Sequence, residues 1–301
     1  MVGDIILTAD GEICVLSDVD ESGNTVDVYA RGDLGSTESN ANSNSDAIYI
    51  IGSAQLEGFT YGGDPRFNTR ATKSNYTQIF HDTLAVSKSY QEMASNGVLA
   101  GIKDEAKNQL KMKTLRLAKL LERNALYGGY YSTAAEGNSS HPRTMSGIIA
   151  PGTGTIDIQT NTTDLSSAEI TESALNTEMQ ACYDAGGKPD TILVNSFNKK
   201  VISDFMLPYR KANFDDKKYG GVVSAYECDF GLFNIILNRY QLQSDIIILP
   251  KKNFEFACLR PFKIIDLPDD KDSYRQEIVG EYSVHFVNEE HASHLYGSST
   301  S

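Results

Sequence analysis

The sequence predicts an α+β protein in which a β-rich N-terminal region is followed by one long helix, an α/β portion and a closing set of strands. Three observations carry this. Short β-branched and aromatic runs parted by turn residues fill the first sixty positions. Residues 95–127 contain no proline and repeat apolar side chains at helical spacing, and strand-like runs dominate from Val222 onward.

The first runs are Ile5-Ile6-Leu7, Ile13-Cys14-Val15-Leu16, Val26-Asp27-Val28-Tyr29 and Ile48-Tyr49-Ile50-Ile51, separated by Asp10-Gly11 and by Glu21-Ser22-Gly23-Asn24. These separators supply positive φ or side-chain-capped turns. Residues 35–46 (GSTESNANSNSD) are almost purely small and polar, so nothing in them rewards burial and a loop is expected. With so few apolar positions, residues 4–58 are expected to project as a β arm or small β lobe with that loop at its tip. A further strand is expected around Ile79-Phe80 and Leu84-Ala85-Val86.

The helix expectation rests on Val98, Ile102, Ala106, Leu110, Leu117, Leu120, Leu121 and Ala125. Ser95 or Asn96 can cap its start and Gly128-Gly129 marks its stop. Asp104 and Glu105 lie early and Arg116, Lys119 and Arg123 late, as the helix dipole prefers. At 1.5 Å per residue the element would be about 50 Å long, the length of a strut. Beyond a loop at 137–154, helices are expected at 165–185, ended by Gly186-Gly187, and at 196–206, capped by Ser196; a strand lies between them at 191–195. Strands follow at 222–226, 233–238, 246–249, 254–259 and 277–287, with Cys228-Asp229-Phe230-Gly231 as a hairpin turn and residues 297–301 as a frayed tail.

Composition excludes several classes of function. At 301 residues the chain can bury a sizeable core, and 40% hydrophobic with 22% charged residues is ordinary for a globular protein. A formal net charge of −13 argues against a dedicated nucleic-acid binder, which needs a stripe of cations. Cys14, Cys182, Cys228 and Cys258 are far apart and form no C-x-x-C pair, so buried small hydrophobes are expected rather than a disulfide or zinc framework. The start MVGDIILTADGE has no signal-peptide character and no apolar run approaches the ~18 residues of a membrane span, so a soluble protein made in a reducing cytoplasm is expected.

The search for chemistry is negative. No phosphate-loop, dinucleotide, nucleophile-elbow or H-E-x-x-H motif occurs, and Gly186-Gly187-Lys188 ends a helix instead of opening one. Asp18, Asp20, Ser22 and Gly23 mimic half a calcium loop, but Tyr29 stands where the bidentate glutamate belongs, so a polar hairpin turn is expected. His291 and His294, behind Glu289 and Glu290, form the best metal-like cluster; strand flanks put the two histidines off a common face, and solvated C-terminal residues are expected. His81, His141 and His285 are isolated, and Asp215-Asp216 and Asp269-Asp270 read as solvated loops. No catalytic, cofactor-binding or metal site is expected.

Several local blocks are more specific. Val2-Gly3-Asp4, Gly11-Glu12, Val28-Tyr29-Ala30-Arg31-Gly32, residues 50–58 (IIGSAQLEG), residues 75–80 (NYTQIF), Val86-Ser87-Lys88-Ser89 and residues 142–148 (PRTMSGI) occur in this order over the first half of the chain. They resemble tailed-bacteriophage major capsid proteins of the Hong Kong 97-type fold, and the order of elements over the second half matches that layout. The resemblance implies an α+β capsid fold with a long spine helix, peripheral and axial domains and a β-rich extended arm. It divides the chain into an arm region at 1–90, a peripheral domain at 91–145 with the spine helix at about 95–127, an axial-type α/β domain at 146–260, and strands at 261–301 returning to the peripheral domain.

The function implied is mechanical, with no enzyme activity and no cofactor. Copies would tile an icosahedral shell as pentamers and hexamers around double-stranded DNA held without sequence specificity. Scaffold, portal and decoration proteins would be further partners, and there would be no membrane. The place implied is the virion capsid of a phage or prophage, made in the host bacterial cytoplasm. Arg66, Arg70 and Lys73 stand out in an acidic chain, and the expectations are two: contact with acidic surface on a neighbouring subunit, or a solvated cluster with no partner. The namesake of the fold welds its shell by joining a lysine on the extended loop to an asparagine; no lysine precedes Lys73 here, so a non-covalent shell is expected. Family members carry a longer arm ahead of the Val2-Gly3-Asp4 block, where Met1 stands here, which bears on self-assembly. Two other readings are a nanocompartment shell, which a neighbouring cargo-enzyme gene would favour, and an α/β enzyme or carbohydrate-binding module, which a deep pocket with facing carboxylates would favour.

Overall fold

The computed structural model describes residues 3–20, 25–32, 34–38, 47–54, 57, 72–97, 104–130, 136–149, 156–205, 225–268 and 271–299. The chain divides into two compact units, Met1–Arg70 and Ala71–Ser301.

Among its described residues the first unit contains four short strands: β1 (Asp4–Leu7), β2 (Ile13–Asp20), β3 (Thr25–Val28) and β4 (Tyr49–Ser53), ordered β3-β2-β1-β4 with antiparallel neighbours. The four expected runs therefore form strands. Alternation along β1 and β2 places Ile6, Cys14 and Leu16 inside, with Val19 and Val28 packed against them. Asp10-Gly11 makes the β1–β2 turn, and Gly11 takes φ +85°, which a side chain would resist. The polar loop is tied at its start, where Ser36 Oγ accepts from Ile13 N at 3.1 Å. Residues 39–46, the expected tip, lie outside the described residues.

The second unit begins with β5 (Gln78–Ser87), α1 (Lys88–Ser95) and α2 (Glu105–Tyr127). The continuous helix expected from Ser95 is corrected here. Ser95 closes α1 instead of opening α2, because Gly97 turns left-handed at φ +76° and its N–H bonds back to Ala94 O. Asp104 is the true N-cap of α2, its carboxylate accepting from Lys107 N at 3.1 Å. Gln91 ties the two helices, donating to Asp104 Oδ1 at 2.9 Å and accepting from Ala106 N at 3.0 Å. Val98 and Ile102, which suggested the longer helix, lie outside the described residues. At 23 residues α2 is about 34 Å long, and it ends at Gly128 as the sequence indicates.

Then follow β6 (Thr162–Asp164), α3 (Glu172–Asp184), β7 (Thr191–Val194), α4 (Ser196–Phe205), β8 (Ala225–Cys228), β9 (Gly231–Leu237), β10 (Ile246–Leu249), β11 (Phe254–Asp266), β12 (Ser273–Phe286) and β13 (Ser293–Tyr296). Thr171, not Leu165, starts α3, because its side chain accepts from Ala174 N. For α4 the capping acceptor is Asn195 Oδ1, which takes the N–H groups of Phe197 and Asn198 at 2.7 and 3.0 Å; Ser196 is already inside the helix.

Two sheets organise this unit. One has the order β6-β13-β10-β7-β9-β8, with β6/β13 and β7/β9 parallel; the other is an antiparallel ribbon ordered β11-β12-β5. Strand β10, Ile246-Ile247-Ile248-Leu249, is buried on both faces. Its even and odd residues divide between two cores. Ile246 and Ile248 join Ile192, Val194, Leu175, Met179 and Ile202 under α3 and α4. Ile247 and Leu249 join Leu117, Ala125 and Leu126 of α2 with Phe80, Ile278 and Val284 of the ribbon. The apolar stripe of α2 thus packs on a sheet as its spacing indicates.

The C-terminal stretch departs from expectation. Residues 293–296 are a strand inside the six-stranded sheet, and the tail is docked: Ser298 N donates to Ser244 O, Ser299 N to Ala168 O, and Ser298 is 5% exposed. Ser298 Oγ also lies within hydrogen-bonding distance of Asn198 Oδ1. Serines read as solvated from composition are here spent on backbone groups at the end of a buried strand.

Candidate assembly surfaces

The blocks at 75–80 and 142–148 meet on β12 and hold each other. Asn75 uses its whole amide: Oδ1 accepts from Ser146 N (2.8 Å) and Tyr76 N (2.9 Å), while Nδ2 donates to Ser146 O (3.0 Å) and Val284 O (2.9 Å). Gln78 Oε1 accepts from Met145 N at 3.2 Å and Arg143 Nε donates to Thr77 O at 2.8 Å. Met145, Ser146 and Ile148 are fully buried. Gly147 is required by a close approach, since a Cβ there would lie 2.6 Å from Gly128 N and from Leu126 O.

Glu281 is the charged centre of this junction. It is 4% exposed, accepts from the Thr77 hydroxyl at 2.6 Å and from Arg260 Nε at 3.0 Å, and pairs with the Arg143 guanidinium. The Thr77 hydrogen bond first, and the two guanidinium groups with it, hold its carboxyl below the ordinary glutamate value despite burial. Thr77 and Arg143 belong to blocks that stand out in the sequence, whereas Glu281 sits in an alternating strand with no local mark.

A second buried carboxylate clamps the first unit. Glu12, 1% exposed, takes Arg31 bidentately (Nε–Oε1 2.8 Å, Nη2–Oε2 2.7 Å) and accepts from Gly32 N at 3.0 Å. This gives Gly11-Glu12 and Arg31-Gly32 a shared physical reason: they are the two halves of one clamp.

At both junctions the charged groups are engaged with one another and with backbone groups. Among the described residues no group of three or more His, Cys, Asp or Glu side chains could hold a metal ion, and no helix is long and apolar enough to cross a membrane. The reading of His294 as solvated is corrected: it is 7% exposed on β13, with Nε2 3.8 Å from Asp245 Oδ1. Burial of strand β13 puts it there. Cys14 and Cys182 are buried as expected, but Cys258 is exposed on β11. Asp215-Asp216 and Asp269-Asp270 lie outside the described residues.

Of the expected assembly residues, Arg66 and Arg70 lie outside the described residues. Lys73 Nζ donates to Glu289 Oε1 of its own chain at 2.7 Å while its side chain stays 45% exposed. The pair borders a cleft of about 490 Å³ lined by Asn75, Phe286, Asn288 and His291.

Exposed apolar side chains are numerous. In the first unit, Ile48, Tyr49, Ile50 and Ile51 are all more than half exposed. In the second, Leu232 and Leu237 on β9, Leu259 and Ile264 on β11, and Met112 and Leu115 on α2 are likewise open. An apolar groove of about 460 Å³ runs between α2 and the sheets, lined by Leu121, Leu126, Ile236, Phe254, Phe256 and Phe262. Surface of this kind marks places where a chain meets other molecules.

A family model described as SU10 major capsid protein matches residues 18–297. No curated protein matches at a significant level. Among solved structures, the capsid of Myoviridae phage XM1 is 9% identical with a TM-score of 0.52, over 93% of this chain and 81% of that one. The cyanophage A-1(L) capsid asymmetric unit is 11% identical with a TM-score of 0.49, over 90% and 86%. The holo-SrpI encapsulin complex from Synechococcus elongatus is 8% identical with a TM-score of 0.47, over 98% and 82%. At these identities the likeness to the XM1 capsid speaks to fold alone.

Proposed function

The chain belongs to the SU10 major capsid protein family and is a capsid shell subunit, and we propose that its copies close an icosahedral shell of pentamers and hexamers around double-stranded DNA. The observation that carries this reading is the family match across 280 residues of the chain, 18–297. The exposed apolar surfaces of both units support it, because self-association is what would cover them. In this reading α2 with the β5–β11–β12 ribbon belongs to the peripheral domain, the six-stranded sheet with α3 and α4 to the axial domain, and the first unit to the arm region. Subunits are made in the host bacterial cytoplasm and end in the virion, with scaffold, portal and decoration proteins as further partners. The role is structural and not enzymatic. Arg66, Arg70 and Lys73 meet acidic surface on a neighbouring subunit, where the exposed flank of Lys73 remains available beside its pair with Glu289.

The shell in this reading is held without covalent links, since the first unit contains no lysine. Two experiments test the proposal. Sedimentation velocity of the full chain over a wide concentration range is expected to show species of five or six subunits and larger ones; a single monomer boundary at every concentration would refute it. Denaturing electrophoresis of mature particles is expected to give one subunit band, and a ladder that survives boiling and reductant would refute the non-covalent shell.

A further inference from the structure

We propose that the exposed cationic face of α2 is the surface on which the shell subunit meets the phosphate backbone of double-stranded DNA; this rests on the capsid reading above. The chain as a whole carries 40 acidic and 27 basic residues, yet α2 alone carries Lys107, Lys111, Lys113, Arg116, Lys119 and Arg123 against Glu105 and Glu122. Glu105 is buried and occupied by Gln109. Two further acids beside the helix are spent as well, Asp104 on Lys107 and Asp82 on Lys113 and Arg116, which leaves Glu122 as the one acid of α2 set against the row. That leaves Lys111, Lys119 and Arg123 with no ion-pair partner among the described residues.

Their placement is regular. Lys107, Lys111, Leu115, Lys119 and Arg123 follow at four-residue intervals, so they form one row along the helix at a pitch of about 6 Å. Lys119 Nζ and the Arg123 guanidinium both stand over the Tyr240 ring, 5.4 and 5.8 Å from its centroid. Exposed Arg239 precedes that tyrosine. The ring holds the two cations in place without neutralising them. Three unpaired cations in a row about 18 Å long suit a partner whose negative charges recur along a line. Duplex DNA offers one charge per ~1.7 Å of axis. Contacts to phosphate fix position without carrying sequence information, so such a row would hold the duplex without sequence preference.

The test uses the full chain and a random-sequence 30-base-pair duplex, with affinity measured across a salt series. Lys111→Glu/Lys119→Glu/Arg123→Glu is compared with Lys188→Glu/Lys252→Glu/Lys271→Glu, which alters net charge equally at exposed sites elsewhere. The α2 variant is expected to lose at least tenfold in affinity and to lower the slope of log K against log salt by about 2 to 3. The control is expected to lose several-fold less and keep most of the slope. Equal losses in both variants, or no duplex binding by the natural chain, would overturn the proposal. An α2 variant that keeps its DNA affinity but loses self-association would also overturn it, by giving the face to a second copy. Lys→Gln versions, checked by thermal melting, keep the test valid if charge reversal unfolds the chain. Particle formation, scored separately by microscopy, tells failure of this proposal from failure of the capsid reading.

Discussion

The two units reach stability by different routes. Residues 1–70 hold 12 of the 40 acidic residues but 3 of the 27 basic ones. The described core of that unit is Ile6, Cys14 and Leu16, reinforced by the clamp of Glu12 on Arg31. The second unit has two apolar cores on opposite faces of β10, and its buried Glu281 is set into a framework already closed by packing. A thin sheet with open apolar strands gains from whatever covers it, whereas the second unit encloses two larger apolar clusters of its own. The difference between the two units lies in how much apolar surface each encloses, not in any motif.

The largest expected effect separates the two routes. Leu117→Ala removes a 1%-exposed side chain from the core between α2 and the ribbon and is expected to cost about 2–5 kcal/mol, seen as a lower melting transition of the second unit. Leu16→Ala should cost less, because the shallow sheet of the first unit can collapse around the gap; hydrogen exchange should place its effect in residues 4–53. Equal losses, or a loss spread evenly over both units by exchange, would break the comparison.

Next comes Glu281→Gln, which strips charge from the junction while Arg143 and Arg260 remain. Their guanidinium groups are partly exposed, which screens the effect, so about 1–3 kcal/mol is expected. The sign of the pH dependence follows from a depressed carboxyl. Its contribution is complete above the unfolded value of about 4.3 and is lost as pH falls through the lower folded value. Melting curves of the natural chain should therefore drop in acid more steeply than those of the variant.

Asp104→Ala should cost about 1 kcal/mol by removing the N-cap of α2. The side chain and backbone N–H of Lys107, with Gln91, hold the Asp104 carboxyl down to about 2, so its share of stability is complete above the unfolded value of about 3.9 and is lost as pH falls from there through the folded value. Amide exchange at residues 105–108 should rise more than elsewhere. The smallest effect is expected for Lys73→Ala, under about 1 kcal/mol, because a half-exposed ion pair is screened by water. A loss of several kcal/mol in the isolated chain would give Lys73 a structural role that its geometry does not support.

Much of the fold was legible because local chemistry and packing agree. The strands of the first unit, the hairpin at 228–231 and the fully apolar β10 follow from period and turn residues. Where reading failed, a competing local cap or a distant partner decided. Asp104 and Asn195 took the capping roles from Ser95 and Ser196. Strand β13 was missed because its neighbours β10 and β6 are remote in sequence, and polar Ser293 and His294 conceal its burial. The junctions were half legible: the blocks around Glu12, Arg31, Asn75, Thr77 and Arg143 stood out as patterns. Glu281 did not, because nothing in an alternating strand marks which carboxylate two arginines from other segments will reach.

The central claim is that this chain builds shells from copies of itself. Electron microscopy of the purified full chain at high concentration tests it most directly. The account predicts rings, tubes or closed shells built from repeating units. Fields of separate single particles at every concentration and salt condition, with the protein folded, would contradict it.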